Sequence, residues 1–233
     1  MSAYEQALAK NYKVIALSTG GKLQELAQNN NQPFVIVPND CLQPRFGTGY
    51  LVGAVLQLLA NCRLAPEQKE AISEMADSLN PEALEASGQA LAKKLVDKIP
   101  VVYGSNNYKS LARIWKIKLN ENSKIMAFWN YFPELNHNEM VGLTNIKGQF
   151  HFIILQDNDD HPSTIRRMQL FSELAKEKGA EVDFVPLCGK TKMEKIFNGS
   201  LLADWVSYHL AVSYGQDPVP VKIVEDFKKR LAG

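Results

Sequence analysis

Two hydrophobic rhythms alternate along the chain. "KVIALS" (13–18) and "PFVIVP" (33–38) are short apolar runs closed by turn residues, the pattern of buried parallel strands. Between them "GGKLQELAQNN" opens on glycines and places Leu23, Leu26 and Ala27 at helical spacing. "YLVGAVLQLLANC" (50–62) predicts a helix apolar nearly all round, hence buried nearly all round. Residues 65–98 read as two polar helices, the second opened by the Asn cap and first-turn Pro of "NPEAL". Strands are then predicted at "IPVVYGS" (99–105), "SKIMAFW", "FHFIILQ" and "AEVDFVPL". "NNYKSLARIWKIKLN" carries Tyr108, Leu111, Ala112, Trp115 and Leu119 on one helical stripe. Further helices are predicted at "TIRRMQLFSELAKEKG", at "KMEKIFNGSLLADWVSYHLAVSYG" with a break near Gly199, and after "DPVP".

This order predicts an α/β protein in three parts. Residues 1–64 supply only two strands, residues 65–98 a helical connector, and residues 99–233 a four-stranded α/β domain with helices on both faces. Two strands are too few for a parallel sheet covered on both faces and leave an exposed edge. The first helix, "SAYEQALAKN", also follows no strand. The expectation is a chain that begins inside a domain, the rest lost, carried by another polypeptide or replaced by a partner.

At 233 residues and 45% hydrophobic, the chain can bury one large core or two. A net charge of +1 argues against nucleic acid or an anionic membrane as the main partner. Cys41, Cys62 and Cys188 have no metal-binding spacing and an odd count, which predicts reduced thiols. No apolar run reaches the roughly 18–20 residues of a membrane span. "MSAYEQALAKNYK" lacks a signal-peptide pattern, and a cytoplasmic location is expected.

Few residues invite chemistry. "FGTGYLVG" has glycines at GxGxxxG, nine residues past its strand, which does not suit a dinucleotide turn. "STGG" (18–21) joins a strand to a helix directly, so Ser18 and Thr19 either receive an anion at the helix N-terminus or form a tight turn. Arg45 follows the second strand, where an Arg can hold a carboxylate, phosphate or enolate oxygen or stand on the surface. In "FPELNHNEMVGL" His137 lies between Asn136 and Asn138, with Glu134 and Glu139 outside, either a reacting group or a cap in a polar loop. Glu121, in "KLNENSK", ends a helix, where the dipole and partial burial disfavour its ionised form; it is either tuned for proton transfer or solvated. His151, His161 and His209 lie on a strand, a helix start and a helix, away from metal-ligand spacing, so no metal is predicted.

Taken together, these segments resemble the bifunctional phosphoglucose/phosphomannose isomerases, a family of the sugar isomerase (SIS) fold group in the phosphoglucose isomerase superfamily. The resemblance runs in order through "VIALSTGGKLQELA", "QPRFGTGYLVGAVLQLL", "PVVYGS", "ARIWKIKLNENSK", "PELNHNEMVGL", "ADWVSYHLAVSYGQDPVPV" and "FKKRL". It implies two flavodoxin-like SIS domains, the first incomplete, since the family's first strand and Ser/Thr-rich phosphate loops have no counterpart here. It implies interconversion of glucose 6-phosphate or mannose 6-phosphate with fructose 6-phosphate through a cis-enediol(ate), without metal or cofactor. Glu121 matches the family's general base, Arg45 the arginine that stabilises the enediolate, and Lys228 a lysine lining the site. His137 matches the residue assisting ring opening, which this superfamily supplies from the neighbouring subunit of a homodimer. The alternatives are a non-catalytic sugar-phosphate-binding SIS module and a fragment inactive without a separate N-terminal half.

Overall fold

The computed structural model describes residues 2–40, 43–231 and 233; Cys41 lies outside the described residues. The chain divides into two compact units, residues 1–74 and 75–233.

The first unit contains α1 (Ser2–Ala9), β1 (Ala16–Ser18), α2 (Lys22–Asn29), β2 (Phe34–Ile36), α3 (Thr48–Asn61) and the start of α4 (Lys69–Ser78). β1 and β2 pair in parallel, Ser18 opposite Ile36. Each is three residues long, shorter than the apolar run that announced it. Ala16, Ala27 and Val37 are buried, and the Tyr4 hydroxyl donates to the Leu26 carbonyl at 3.3 Å, tying α1 to α2. The expected burial of α3 does not occur. No residue of α3 is buried, and Tyr50, Leu51 and Val55 stand exposed. A pair of three-residue strands is too small a surface to cover a 14-residue helix.

The second unit holds α5 (Pro81–Leu95), β3 (Ile99–Ser105), α6 (Lys109–Glu121), β4 (Phe128–Phe132), β5 (Phe150–Gln156), α7 (Pro162–Glu177), β6 (Glu181–Pro186), α8 (Lys192–Ser213) and α9 (Lys222–Leu231). Its sheet is wholly parallel, in the order β4-β3-β5-β6. Alternate strand residues feed two cores. Val102, Ile153, Leu155 and Val185 pack with Leu95, Trp115, Val206 and Leu210 from α5, α6 and α8. Val101, Tyr103, Phe152 and Ile154 pack with Met168, Phe171 and Ala175 from α7. The stripe predicted on α6 is buried throughout, including Tyr108 just before its first turn. Asn80 caps α5 by accepting from the Ala83 N–H at 3.1 Å, with Pro81 following as expected.

Two expectations are corrected. The strand foreseen at "SKIMAFW" lies later, at Phe128–Phe132, because the first half of that run closes α6. Ser123 is buried, Lys124 takes a left-handed φ of 61°, and Met126 is exposed. α8 is continuous over 22 residues rather than broken at Gly199. That glycine permits close packing: a Cβ there would lie 2.8 Å from Leu111 Cδ2, and its carbonyl accepts from Trp115 Nε1 at 2.8 Å.

Gly88 on α5 is tighter still, because a Cβ would sit 2.5 Å from Trp205 Cβ and 3.2 Å from the backbone of α8. Gly88→Ala gains about 1 kcal/mol of helix propensity and forces α5 off α8. The expected net is a loss of about 1–3 kcal/mol, read as a lower urea midpoint at unchanged slope.

At the carboxyl ends of β3 and β5 a buried ion pair crosslinks the sheet to α8. Lys195 Nζ lies 2.6 Å from Asp157 and 2.5 Å from Asp159, and the Tyr108 hydroxyl donates to Asp157 at 2.5 Å. Burial alone would raise the Asp157 pKa, but the hydrogen bonds from Lys195 and Tyr108 hold it below the usual carboxylate value. A folded-state pKa below the unfolded one gives stability that is full above the unfolded value and is lost as pH falls through the folded value. This contribution therefore begins to fade below about pH 4 and is lost as pH falls through the lowered Asp157 value. Lys195→Met leaves Asp157 buried without its cation and is expected to cost about 3–5 kcal/mol at neutral pH. The gap from wild type should shrink in chemical melts repeated below pH 4.

Candidate active site

In the first unit, Ser18 ends β1 and its hydroxyl closes the turn, accepting from the Gly20 N–H at 3.2 Å and lying 3.1 Å from the Gly20 carbonyl. Gly20 and Gly21 have φ of 134° and 73°, a backbone that residues with a Cβ rarely adopt, which is why the strand turns into α2 through glycines. Ser18 and Thr19 line a cavity of about 240 Å³ with Pro38, Asn39, Gln43 and Pro44 at the carboxyl ends of β1 and β2. Arg45 adjoins it in the 3-10 turn Pro44–Phe46, its guanidinium 4.8 Å from the centre of the Phe46 ring. The structure thus groups Ser18, Thr19 and the Arg45 loop at one edge of this small sheet.

In the second unit Glu121 is the last residue of α6, half-buried, on a turn bound firmly to α8. Lys118, 4% exposed, pairs with Asp204 and donates to the Ser200 carbonyl at 3.1 Å. Asn122 donates to Ser207 Oγ at 2.9 Å, and Ser123 Oγ to the Ser207 carbonyl at 2.8 Å. Lys124 Nζ bridges the Glu121 carbonyl and the Pro218 carbonyl, which brings the approach to α9 beside this helix end. Lys228, on α9, is exposed and paired with Glu225 at 2.9 Å.

His137 is exposed and caps the 3-10 turn Glu134–Asn136 that follows β4. In a parallel βαβ unit the helix runs against the strands. Glu121 therefore lies at the amino edge of the sheet and His137 beyond its carboxyl edge. The five residues of β4 between those edges span roughly 16 Å. Within one chain the second unit does not bring these two residues together.

The remaining histidines pair with carboxylates or cap a helix. His151 is buried at the start of β5 against Asp183 and Glu181, at 2.8 and 3.2 Å. His161 caps α7 by accepting from the Ser163 N–H at 3.2 Å, and His209 lies 3.2 Å from Glu85 across α5 and α8. Among the described residues no group of three His, Cys, Asp or Glu side chains is placed to hold a metal, and no helix is long and apolar enough to cross a membrane. Cys62 and Cys188 are free and exposed.

Residues 84–231 match the model of the bacterial phospho-glucose isomerase C-terminal SIS domain. The whole chain also aligns, at 36% identity, with 72% of the bifunctional phosphoglucose/phosphomannose isomerase of Caldicellulosiruptor bescii. The chain belongs to the bifunctional phosphoglucose/phosphomannose isomerase family. A second member, from Aquifex aeolicus, is 33% identical over 99% of the chain and 71% of its own length. Among solved structures, a glucose-6-phosphate isomerase like protein from Thermus thermophilus superposes with a TM-score of 0.59. That match has 20% identity and covers 90% of this chain and 75% of the other, a likeness of fold alone. The SIS phosphosugar-isomerase fold is thus established for this family member, with parallel sheets flanked by helices.

Proposed function

We propose that this chain is a sugar-phosphate isomerase that interconverts glucose 6-phosphate or mannose 6-phosphate with fructose 6-phosphate. The observation that carries the reading is Glu121, a half-buried carboxylate whose helix end is locked to α8, in a chain matching named isomerases along its entire length. In this reading Glu121 takes the proton from C2 of the open-chain aldose and returns it at C1, the hydroxyl proton passes from O2 to the neighbouring O1, and the cis-enediol(ate) lies between the two carbon transfers. Proton transfer to either face of C2 lets one site use both aldoses. Arg45 balances the charge that develops on the enediolate oxygen, a task suited to a permanently charged guanidinium. Ser18 and Thr19 belong to the phosphate-holding edge of the first unit, and Lys228 contributes a further cation. His137 moves the proton that opens the sugar ring.

The separation of Glu121 from His137 along the sheet supports a homodimer in which His137 serves the partner's site. A two-fold axis makes that exchange reciprocal, so each dimer holds two complete pairs.

The domain reading that accompanies this proposal places residues 1–64 in a first SIS domain, 65–98 in a helical connector and 99–233 in the second. α5 nonetheless packs on α8 within the second unit, with Trp205 Nε1 donating to the Pro81 carbonyl at 2.8 Å.

The direct test is conversion of fructose 6-phosphate by the purified chain, followed through glucose-6-phosphate dehydrogenase, with mannose 6-phosphate as the second substrate. Turnover of both supports the proposal. Tight sugar-phosphate binding by calorimetry without isomerisation, under the same conditions, sinks it in favour of a binding module.

A further inference from the structure

The mechanism gives His137 a task but leaves open how an exposed histidine on a loop is aimed. Its own ring is on the surface, so its position rests on the backbone of residues 133–145. That backbone has short-range bonds only: the Asn136 N–H donates to the Pro133 carbonyl at 3.0 Å, the His137 N–H to Glu134 at 3.0 Å, and the Val141 N–H to Asn138 at 3.1 Å. Leu135, fully buried, and Leu143 pin the segment to the core on either side. Between them the contact with the sheet is loose, because residues 139–147 roof a cavity of about 570 Å³ floored by Val101, Tyr103 and Phe152.

One polar tie crosses this space. Glu139, two residues past His137, accepts from the Tyr103 hydroxyl at 2.7 Å with one carboxylate oxygen and from Asn130 Nδ2 with the other. Tyr103 and Asn130 are register partners on β3 and β4, so the carboxylate bridges the two strands at one level. Tyr103 is 1% exposed; burial, then the Glu139 charge and its hydrogen bond, push the phenol pKa far up. The hydroxyl is thus a fixed donor at any working pH. Two rigid donors on a sheet and one carboxylate on a loop define a single loop position, whereas an apolar contact would permit sliding.

Resting on the isomerase reading above, we propose that Glu139 is a positioning residue that holds His137 in place for ring opening through its bridge to Tyr103 and Asn130. A displacement of about 1 Å in a catalytic group can cost on the order of 100-fold in rate. The carboxylate specifically is required, because a glutamine in its place would turn an N–H₂ toward one of two donors.

The test compares Glu139→Gln and Tyr103→Phe with His137→Ala on two compounds. Fructose 6-phosphate is a ring that must open. Erythrose 4-phosphate cannot close a five- or six-membered ring, because its C4 oxygen carries the phosphate, so its C2 proton exchanges with deuterated solvent without ring opening. The expected result is a fall in kcat on fructose 6-phosphate of about tenfold or more in all three variants. Exchange from erythrose 4-phosphate should stay within about twofold of wild type. Independently of turnover, amides of residues 134–141 should exchange with deuterium about tenfold faster in Glu139→Gln while β3 and β5 stay protected. Tyr103→Phe keeps the buried ring and covers the case in which Glu139→Gln fails to fold. Unchanged amide exchange overturns the proposal, as does an equal loss on both compounds. A wild-type chain that acts on neither compound overturns the isomerase reading instead, and amide exchange still decides whether Glu139 is the anchor.

Discussion

Glu121→Gln is expected to lower kcat for fructose 6-phosphate by about 10²- to 10⁴-fold, the usual worth of a positioned general base. The substitution is nearly isosteric and removes the capacity to accept a proton. The fold has little reason to respond, because Lys118, Asn122 and Ser123 hold the end of α6 against α8. The loss should therefore appear equally in kcat and kcat/KM, the mark of an interaction made in the transition state, while KM stays near its wild-type value. Steady-state kinetics on both aldose phosphates, beside thermal melting of the variant, check this. A Gln variant that turns over at the wild-type rate removes Glu121 from the mechanism. A variant that melts early leaves the rate uninterpretable as chemistry, and Glu121→Asp, which keeps the carboxylate but shortens its reach, then decides. Partial activity in Asp with none in Gln points to the proton, not the packing.

The second unit was largely legible in the sequence, since β3 and β5 are mostly apolar runs that serve two cores at once, and β6 keeps Val182 and Val185 for them beside Glu181 and Asp183. α6 announced itself through one stripe, and that stripe is what the core receives. The failures have a common cause, in that each residue's role was set by a neighbour distant in sequence. Gly199 reads as a helix breaker until Leu111 and Trp115 are packed on it. "SKIMAFW" reads as one strand until Asn122 and Ser123 are spent on Ser207. α3 reads as a core helix because composition reports apolarity, not the area available to cover it. In the site, Glu121 and His137 stood out in their segments, and the resemblance supplied their roles, with His137 serving a neighbouring subunit. What no segment could show is that the parallel crossover sets the two at opposite edges of the sheet. Glu139 had no signal beyond being an acid near a histidine, because its partners Tyr103 and Asn130 meet only when β3 and β4 are in register.

That opposition of edges yields a result expected from mixing two defective proteins. His137→Ala and Glu121→Gln, each alone, should be nearly inactive on fructose 6-phosphate. If His137 serves the partner's site, every site of a mixed dimer draws Glu121 from one chain and His137 from the other. One site then receives both substitutions and the other receives neither. Random reassociation places half the dimers in the mixed class, so activity should rise to about a quarter of wild type on two-fold symmetry. If both residues act within one chain, no combination builds an intact site, and the mixture stays at the mean of its parents. The readout needs only co-refolding or co-expression of the two variants, an activity measurement, and a size measurement on the same sample. A quarter-strength recovery carried by a dimer assigns His137 to the partner's site. A dimer without recovery places the pair within one chain, against the geometry of β4. A monomer with full wild-type activity dismisses the shared site altogether, and some other group of the same chain then opens the ring.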